Sequence, residues 1–455
     1  MKIHFIAVGG SAMHNLAIAL KRKGYDVSGS DDEIFEPSRS RLLKENILPE
    51  AEGWFPDKIH PELEAVILGM HARADNQELV KAQELGLKIF SYPEYVYEQT
   101  KNKTRVVIGG SHGKTTITSM IMHVLNENNI EHDYLVGAIL QGYDCMVRLS
   151  QTAKIAIIEG DEYLSSPIDR RPKFHLYFPD IAVMSGIAWD HINVFPTFEN
   201  YVEQFEIFTH KITSGGNLIY CELDPEVNKT AGKAPDHLAK IPYGIHPHKT
   251  KNGITYLIDE KGTEHELQIF GEHNLQNLNA AKNVCLQLGL SPAQFYKAIS
   301  SFTGAAKRLE LVKKNEDTAI YKDFAHSPSK LKATTEAVKK QFPERKLIAC
   351  MELHTFSSLN EKFLNQYEGA MALADEAIVY FNPHTIEHKK LAPITAEQVK
   401  QAFGGNQLTV MTDSKKIQDW LKNHPWKNSN LLLMTSGNFD GMDFNSLADE
   451  ILGRQ

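Results

Sequence analysis

Short apolar runs alternate with amphipathic helical stretches along the whole of this chain, and that alternation admits few architectures. In the N-terminal part "KIHFIAV", "YDVSGSD", "EAVILGM" and "LKIFSY" have strand character, with helical "SAMHNLAIALKRKG" and "NQELVKAQELG" among them. A strand followed by a helix and another strand builds a parallel sheet covered by helices. At 455 residues the chain exceeds what one ordinary core accommodates, so more than one such sheet is expected.

The pattern continues after "YEQTKNKTR", a polar stretch that reads as a linker. Arg105 begins a second unit, with strands in "RVVIGG", "KIAIIEG" and "IAVMSGI" and a long helix over "FENYVEQFEIFTHKI". "NGITYLID" and "EHELQIF" alternate like antiparallel strands at an edge, and helices over "HNLQNLNAAKNVCLQLG" and "SPAQFYKAISSF" close the unit. A third unit follows "TGAAKRLE", with strands "TAIYKDF", "KLIACME", "EAIVYF" and "NLLLMTSG" and a helix over "SKLKATTEAVKKQF". The reading is three consecutive α/β domains: 1–102, 103–304 and 305–455.

Composition narrows the function. A formal net charge of -8 gives no basic excess, which argues against nucleic acid, where clustered Lys and Arg replace counterions. Cys145, Cys221, Cys285 and Cys350 lie far apart, with no CxxC pair, which argues for a reducing compartment and against a disulfide framework or structural zinc. No segment approaches the roughly 20 apolar residues of a membrane span. The opening apolar run is too short for a signal peptide. A cytoplasmic protein is expected.

Chemistry concentrates at the ends of the apolar runs. "VVIGGSHGKTT" joins a buried strand to a helix through Gly110, Ser111, His112, Gly113, Lys114, Thr115 and Thr116. Two glycines let backbone wrap closely around phosphates, Lys114 offsets their charge, and the Thr115 hydroxyl suits Mg²⁺. Ile108 stands where the longer phosphate-loop pattern has its first glycine. "IIEGDEY" places Glu159, Asp161 and Glu162 just past another strand, where a carboxylate can hold a nucleotide's metal. "IAWDH" sets Asp190 and His191 after a third. Near the N-terminus Gly9, Gly10 and Ser11 follow a strand, with Asp31 after the next. A dinucleotide fingerprint there would read Ala7, Gly9 and Ala12, so the stretch reads either as a tight βα turn or as a phosphate site, and in the latter case a nucleotide pyrophosphate other than a nicotinamide cofactor is the better match. Asn274 and Asn277 open a helix, where they either cap it or read a purine edge. Arg308, Asp323 and His326 start the third unit.

In this order, "GGSHGKTT", "IIEGDEY", the Asp-His pair, "GEHNLQNLNAA", "KRLE", "KDFAHSP" and "MTSGNFDG" resemble the Mur ligases of bacterial cell-wall synthesis over nearly the whole chain. The resemblance implies an N-terminal Rossmann-like domain for a UDP-sugar, a central P-loop ATPase-type mixed sheet, and a C-terminal Rossmann-like domain for the amino substrate. It assigns Lys114 to the ATP phosphates, Thr115 and Glu159 to magnesium, and His191 to a second metal or the reacting groups. Asn274 and Asn277 would face adenine, Arg308 and Asp323 would hold the nucleotide from the far domain, and Gly9, Gly10, Ser11 and Asp31 would surround the UDP. The chain departs from the family at Gly186, Ala188 and Asn193, where members carry Asn, Glu and Asp, and at Ser327, where a second histidine is usual.

"AVGGSAM" and "SGSDD" resemble the branch that joins an amine directly to UDP-N-acetylmuramate. That branch takes either L-alanine or the tripeptide L-alanyl-γ-D-glutamyl-meso-diaminopimelate. Asp169, Arg170, Arg171, Lys173 and Phe174 reproduce the D-[KR]-R-x-K-F pattern of its tripeptide-adding members. The expected activity is therefore ATP-dependent amide formation through an acyl phosphate, with ADP released. Rival readings are the L-alanine ligase, a nicotinamide-dependent dehydrogenase and a non-catalytic nucleotide-binding module.

Overall fold

The computed structural model describes residues 1–140, 142–189, 194–304, 309–404 and 408–453. The chain forms two compact units, Met1–Ile245 with Gln276–Ile299, and His246–Leu275 with Ser300–Gln455.

The first unit holds two sheets. Strands β1 (Lys2–Ile6), β2 (Asp26–Ser30), β3 (Ala65–Leu68) and β4 (Ile89–Ser91) form an all-parallel sheet in the order β2-β1-β3-β4. Their apolar runs are buried because helices cover the sheet: Leu16 and Leu20 of helix Ser11–Arg22 and Leu79 of helix Gln77–Glu84 are wholly shielded. The second sheet has the order β11-β10-β9-β5-β8-β6-β7. Its strands are β5 (Thr104–Gly109), β6 (Asp133–Leu135), β7 (Val147–Arg148), β8 (Ile155–Glu159), β9 (Ile181–Met184), β10 (Asn217–Cys221) and β11 (Ala239–Tyr243). All pairs are parallel except the edge pair β6–β7. From central β5 the chain first builds β6, β7 and β8 on one side and then β9, β10 and β11 on the other, so β5 lies at a topological switch point. Ligands bind beyond the carboxyl ends of strands at such a point.

The stretch "YEQTKNKTR" is not a free linker. Its first four residues end the helix Tyr92–Thr100, which a Ser91–Glu94 capping box starts, and β5 begins at Thr104. Arg105 consolidates this crossing. Its guanidinium donates to the carbonyls of Thr100, Lys101, Lys103, Tyr177 and Phe178 and pairs with Asp180 at 3.1 Å. The start signal of the helix outweighed the polarity of its last turn.

In the second unit, the antiparallel strands expected at an edge, β13 (Ile254–Ile258) and β14 (Glu264–Leu267), join β12 (His248–Lys251) in a separate three-stranded sheet. A six-stranded sheet has the order β15-β16-β20-β17-β18-β19. It comprises β15 (Glu310–Lys314), β16 (Thr318–Asp323), β17 (Lys346–Leu353), β18 (Glu376–Phe381), β19 (Leu408–Met411) and β20 (Ser429–Met434), parallel apart from β15. Leu431, Leu432, Leu433 and Met434 are all at 0% exposure, as a strand covered on both faces requires. All four cysteines are unpaired and buried.

Candidate active site

The turn after β5 is shaped by what its glycines exclude. Gly110 has φ +133°, and a Cβ on it would stand 2.3 Å from Ser185 Oγ. Gly113 has φ +79°, and its Cβ would stand 2.3 Å from Asn277 Oδ1. Neither position tolerates a side chain. Ser111 N donates to Gly186 O at 2.9 Å, and Gly160 N to Ile108 O at 2.8 Å, so the loop is tied to the ends of β9 and β8. Ile108 is a buried strand residue in register with Glu159 and Val183. Glycine is absent there because the strand continues one position further into the loop.

Helix Lys114–Glu127 opens on Gly113 with no side-chain cap, which leaves its first-turn N–H groups available to an anion. Lys114 Nζ donates to Gly110 O at 2.6 Å and to both Glu162 oxygens, at 2.8 and 3.1 Å. Burial works against the Lys114 charge, but the Glu162 carboxylate outweighs it and holds the ammonium above its ordinary pKa. The Tyr201 hydroxyl donates to Glu162 Oε1 at 3.1 Å and lies 2.9 Å from Ser111 Oγ. Ser111 Oγ in turn donates to Ala188 O and accepts from Ala188 N, each at 2.8 Å.

One helical position on, Thr115 Oγ1 donates to Glu159 Oε1 at 2.8 Å, and Gly137 N donates to Glu159 Oε2 at 2.8 Å. Burial pushes the Glu159 carboxyl up, against the bonds from Gly137 and Thr115. Asp161 is the opposite case. Burial would raise it, yet the Lys173 ammonium 2.5 Å away brings it below the usual carboxylate range. The pair of hard oxygens on Thr115 and Glu159 suits magnesium, which takes one or two protein ligands and completes its shell with water and phosphate. The glycine cradle, the uncapped helix and the lysine suit a nucleotide phosphate.

The other predicted residues are placed as follows. Asn277 reaches the glycine turn at Gly113, whereas the Asn274 amide donates to Phe270 O at 2.8 Å within the second unit. Thr116 is buried, and the His112 carbonyl accepts from Ser185 Oγ. At the end of β1, Gly9 N donates to Asp31 Oδ2 at 2.6 Å, and a Cβ on Gly9 would stand 2.9 Å from the same oxygen. Gly10 precedes the uncapped helix that starts at Ser11. In the second unit the Asp323 carboxylate accepts from Thr334 Oγ1 at 2.5 Å, and His326 Nδ1 lies 2.9 Å from Phe324 O. Asp190, His191, Asn193 and Arg308 lie outside the described residues. Sequence reasoning missed Tyr201, whose spacing with Phe205 and Phe208 reads only as a core stripe, and Gly137, which stands alone in a loop. In the D-[KR]-R-x-K-F segment, Arg171 pairs with Asp169 and Glu94, Lys173 with Asp161, and Phe174 stacks on Phe208 at 4.6 Å.

Residues 2–104 match the Mur ligase family, catalytic domain; residues 108–285 the Mur ligase middle domain; and residues 307–437 the Mur ligase, glutamate ligase domain. The UDP-N-acetylmuramate–L-alanine ligase of Caldicellulosiruptor bescii is 31% identical over 410 residues, 88% of this chain and 87% of that protein. Among solved structures, the UDP-N-acetylmuramate–alanine ligase of Thermotoga maritima aligns with a TM-score of 0.69 at 19% identity, over 100% of this chain and 99% of that one. A murein peptide ligase from Psychrobacter arcticus aligns with a TM-score of 0.61 at 22% identity, over 100% and 98%. These two likenesses speak to the fold: α/β, with several parallel-rich sheets. The class is that of the ATP-dependent, ADP-forming carboxylate–amine ligases. The chain belongs to the Mur ligase family, the ligases of peptidoglycan synthesis. Membership removes the dehydrogenase and the non-catalytic module from consideration. Among the described residues no helix is long and apolar enough to cross a membrane.

Proposed function

We propose that this protein joins the lactyl carboxylate of UDP-N-acetylmuramate to the amine of L-alanyl-γ-D-glutamyl-meso-diaminopimelate in the cytoplasm, at the expense of ATP. A carboxylate oxygen attacks the γ-phosphorus and ADP departs, leaving an acyl phosphate. The free amine then attacks the acyl carbon, phosphate leaves, and the nitrogen loses a proton. The observation that carries the ATP-dependent part is the convergence of Lys114, Thr115, Glu159 and Glu162 at the carboxyl ends of β5 and β8. Lys114 would exchange its Glu162 contact for phosphate oxygens, and Thr115 and Glu159 would hold magnesium. When bound, the ion supplies positive charge against the transferring phosphoryl group. His191 is assigned to a second metal or the reacting groups, Asn274 and Asn277 to adenine, and Gly9, Gly10, Ser11 and Asp31 to the UDP.

The tripeptide reading is supported by the segment from Asp169 to Phe174. Lys173 anchors it to Asp161, two positions beyond Glu159, while Arg170 stays exposed. A guanidinium there suits an acceptor with several carboxylates better than L-alanine, which has one. The second reading, L-alanine as acceptor, is favoured by the name of the relative at 31% identity. ADP release from purified protein with UDP-N-acetylmuramate plus either acceptor separates the two. Turnover with the tripeptide and little with L-alanine is expected, and the reverse overturns the acceptor assignment. Lys114→Ala should lower ligation by about 10³-fold or more with an unchanged circular-dichroism spectrum. A variant working at the wild-type rate would refute the phosphate-loop reading.

A further inference from the structure

Asn15 is wholly buried on the helix Ser11–Arg22, and its amide is engaged on both sides. Nδ2 donates to Ser11 O at 2.8 Å and lies 3.0 Å from His14 Nε2. Oδ1 accepts from Met146 N at 2.9 Å and from the Cys145 thiol at 3.4 Å. Beyond Met146 the bonding continues without a gap. Met146 O accepts from Val136 N at 2.9 Å, and the neighbouring Gly137 N donates to Glu159 Oε2 at 2.8 Å. Glu159 Oε1 accepts from Thr115 Oγ1 at 2.8 Å. Gly137 is pressed against the carboxylate, since a Cβ on it would stand 2.9 Å from Glu159 Oε1. A line of short bonds thus leads from the carbonyl of Ser11 to the hydroxyl of Thr115.

An apolar side chain at position 15 would fill the same space and fix only a distance. A buried amide with every group satisfied also fixes direction, because any relative shift of its partners leaves a polar atom unpaired. We propose that Asn15 is a positioning residue that couples filling of the nucleotide-sugar turn at Gly9–Ser11 to the placement of Glu159 and Thr115 for magnesium–ATP. The inference rests on the reading of those two sites given under Proposed function. Coupling of this kind is reciprocal, so each ligand should tighten the other by the same factor.

A second tie joins the same two segments and supplies a control. Arg22 reaches Asp144 at 2.8 and 3.1 Å, but on the surface, touching neither the Ser11 carbonyl nor the Met146 amide. The experiment is isothermal titration of full-length protein with a non-hydrolysable ATP analogue and magnesium, with and without saturating UDP-N-acetylmuramate. Wild type should bind the analogue about ten-fold tighter in the presence of the nucleotide sugar. Asn15→Leu, which fills the space, and Asn15→Ala should bind each ligand alone within about threefold of wild type and lose the enhancement, while Arg22→Ala retains it. Enhancement that persists in both Asn15 variants, or is lost equally in Arg22→Ala, overturns the proposal, as does its absence from wild type when both ligands bind. Failure of wild type to bind UDP-N-acetylmuramate or the analogue at all would instead refute the proposed function.

Discussion

Asp31 follows β2 and accepts from Gly9 N, and its protonation is expected to set the pH response of that turn. Burial raises its pKa to about 6, with the Gly9 amide opposing and Asp32 adding to the rise. An unfolded aspartate has lost its proton well below that pH, so between about pH 4 and 6 the native state binds more protons than the unfolded chain. Stability therefore falls as pH rises through this window. Asp31→Asn keeps an acceptor for Gly9 N and cannot ionise. Its stability relative to wild type should grow by about 2 kcal/mol from about pH 4 to pH 7, measured by urea unfolding. A gap that does not change with pH would show that the carboxyl ionises in the fold as freely as in water. Gly110, Gly113, Lys114 and Glu159 were singled out in the sequence because residues of these types, placed after buried strands, suit a phosphate and its metal. Tyr201 and Asn15 were not legible. Each sits at a position that helical periodicity gives to the core, and what matters is the hydroxyl or amide partner brought from a distant segment.

Among the elements, most buried strands were read from the sequence, but the internal strands β6 and β10 and several edges were not. β5, β8, β9, β17, β18 and β20 are apolar nearly throughout because helices cover both faces. β11, β12 and β15 lie at sheet edges, are mostly exposed or half-buried, and carry Lys, so they gain their ladder bonds from one neighbour while looking like loop. β7, two residues long, has no period to detect. The helix-to-strand crossing at residues 100–105 was misread for a related reason: a single buried arginine, rather than apolar packing, organises it. Arg105→Ala would strand the carbonyls of Tyr177 and Phe178 and leave Asp180 without this ion pair. The expected cost is about 3–5 kcal/mol in urea unfolding, and a loss below about 1 kcal/mol would mean water replaces the guanidinium without penalty.

For the whole molecule, the order of motifs was more informative than any one of them. A glycine turn with a lysine is common to many nucleotide-binding chains. The same turn at the switch point of a seven-stranded sheet, with an N-terminal parallel sheet before it and a separate six-stranded sheet after it, matches the domain succession of the family. Substrate choice was less accessible, because under the proposed reading it turns on a few exposed groups such as Arg170 rather than on a packed pattern.

The shielded thiols make the chain its own unfolding recorder. Cys145, Cys221 and Cys285 belong to the first compact unit and Cys350 to the second. Burial raises all four pKa values, so none forms thiolate readily while folded. Under a pulse of alkylating reagent in rising denaturant, mass spectra should gain adducts in a block of three and a block of one, dating the opening of each unit separately. Magnesium and an ATP analogue should delay the block of three by mass action. A smooth spread of intermediate adduct counts would mean that the two units do not open as cooperative wholes.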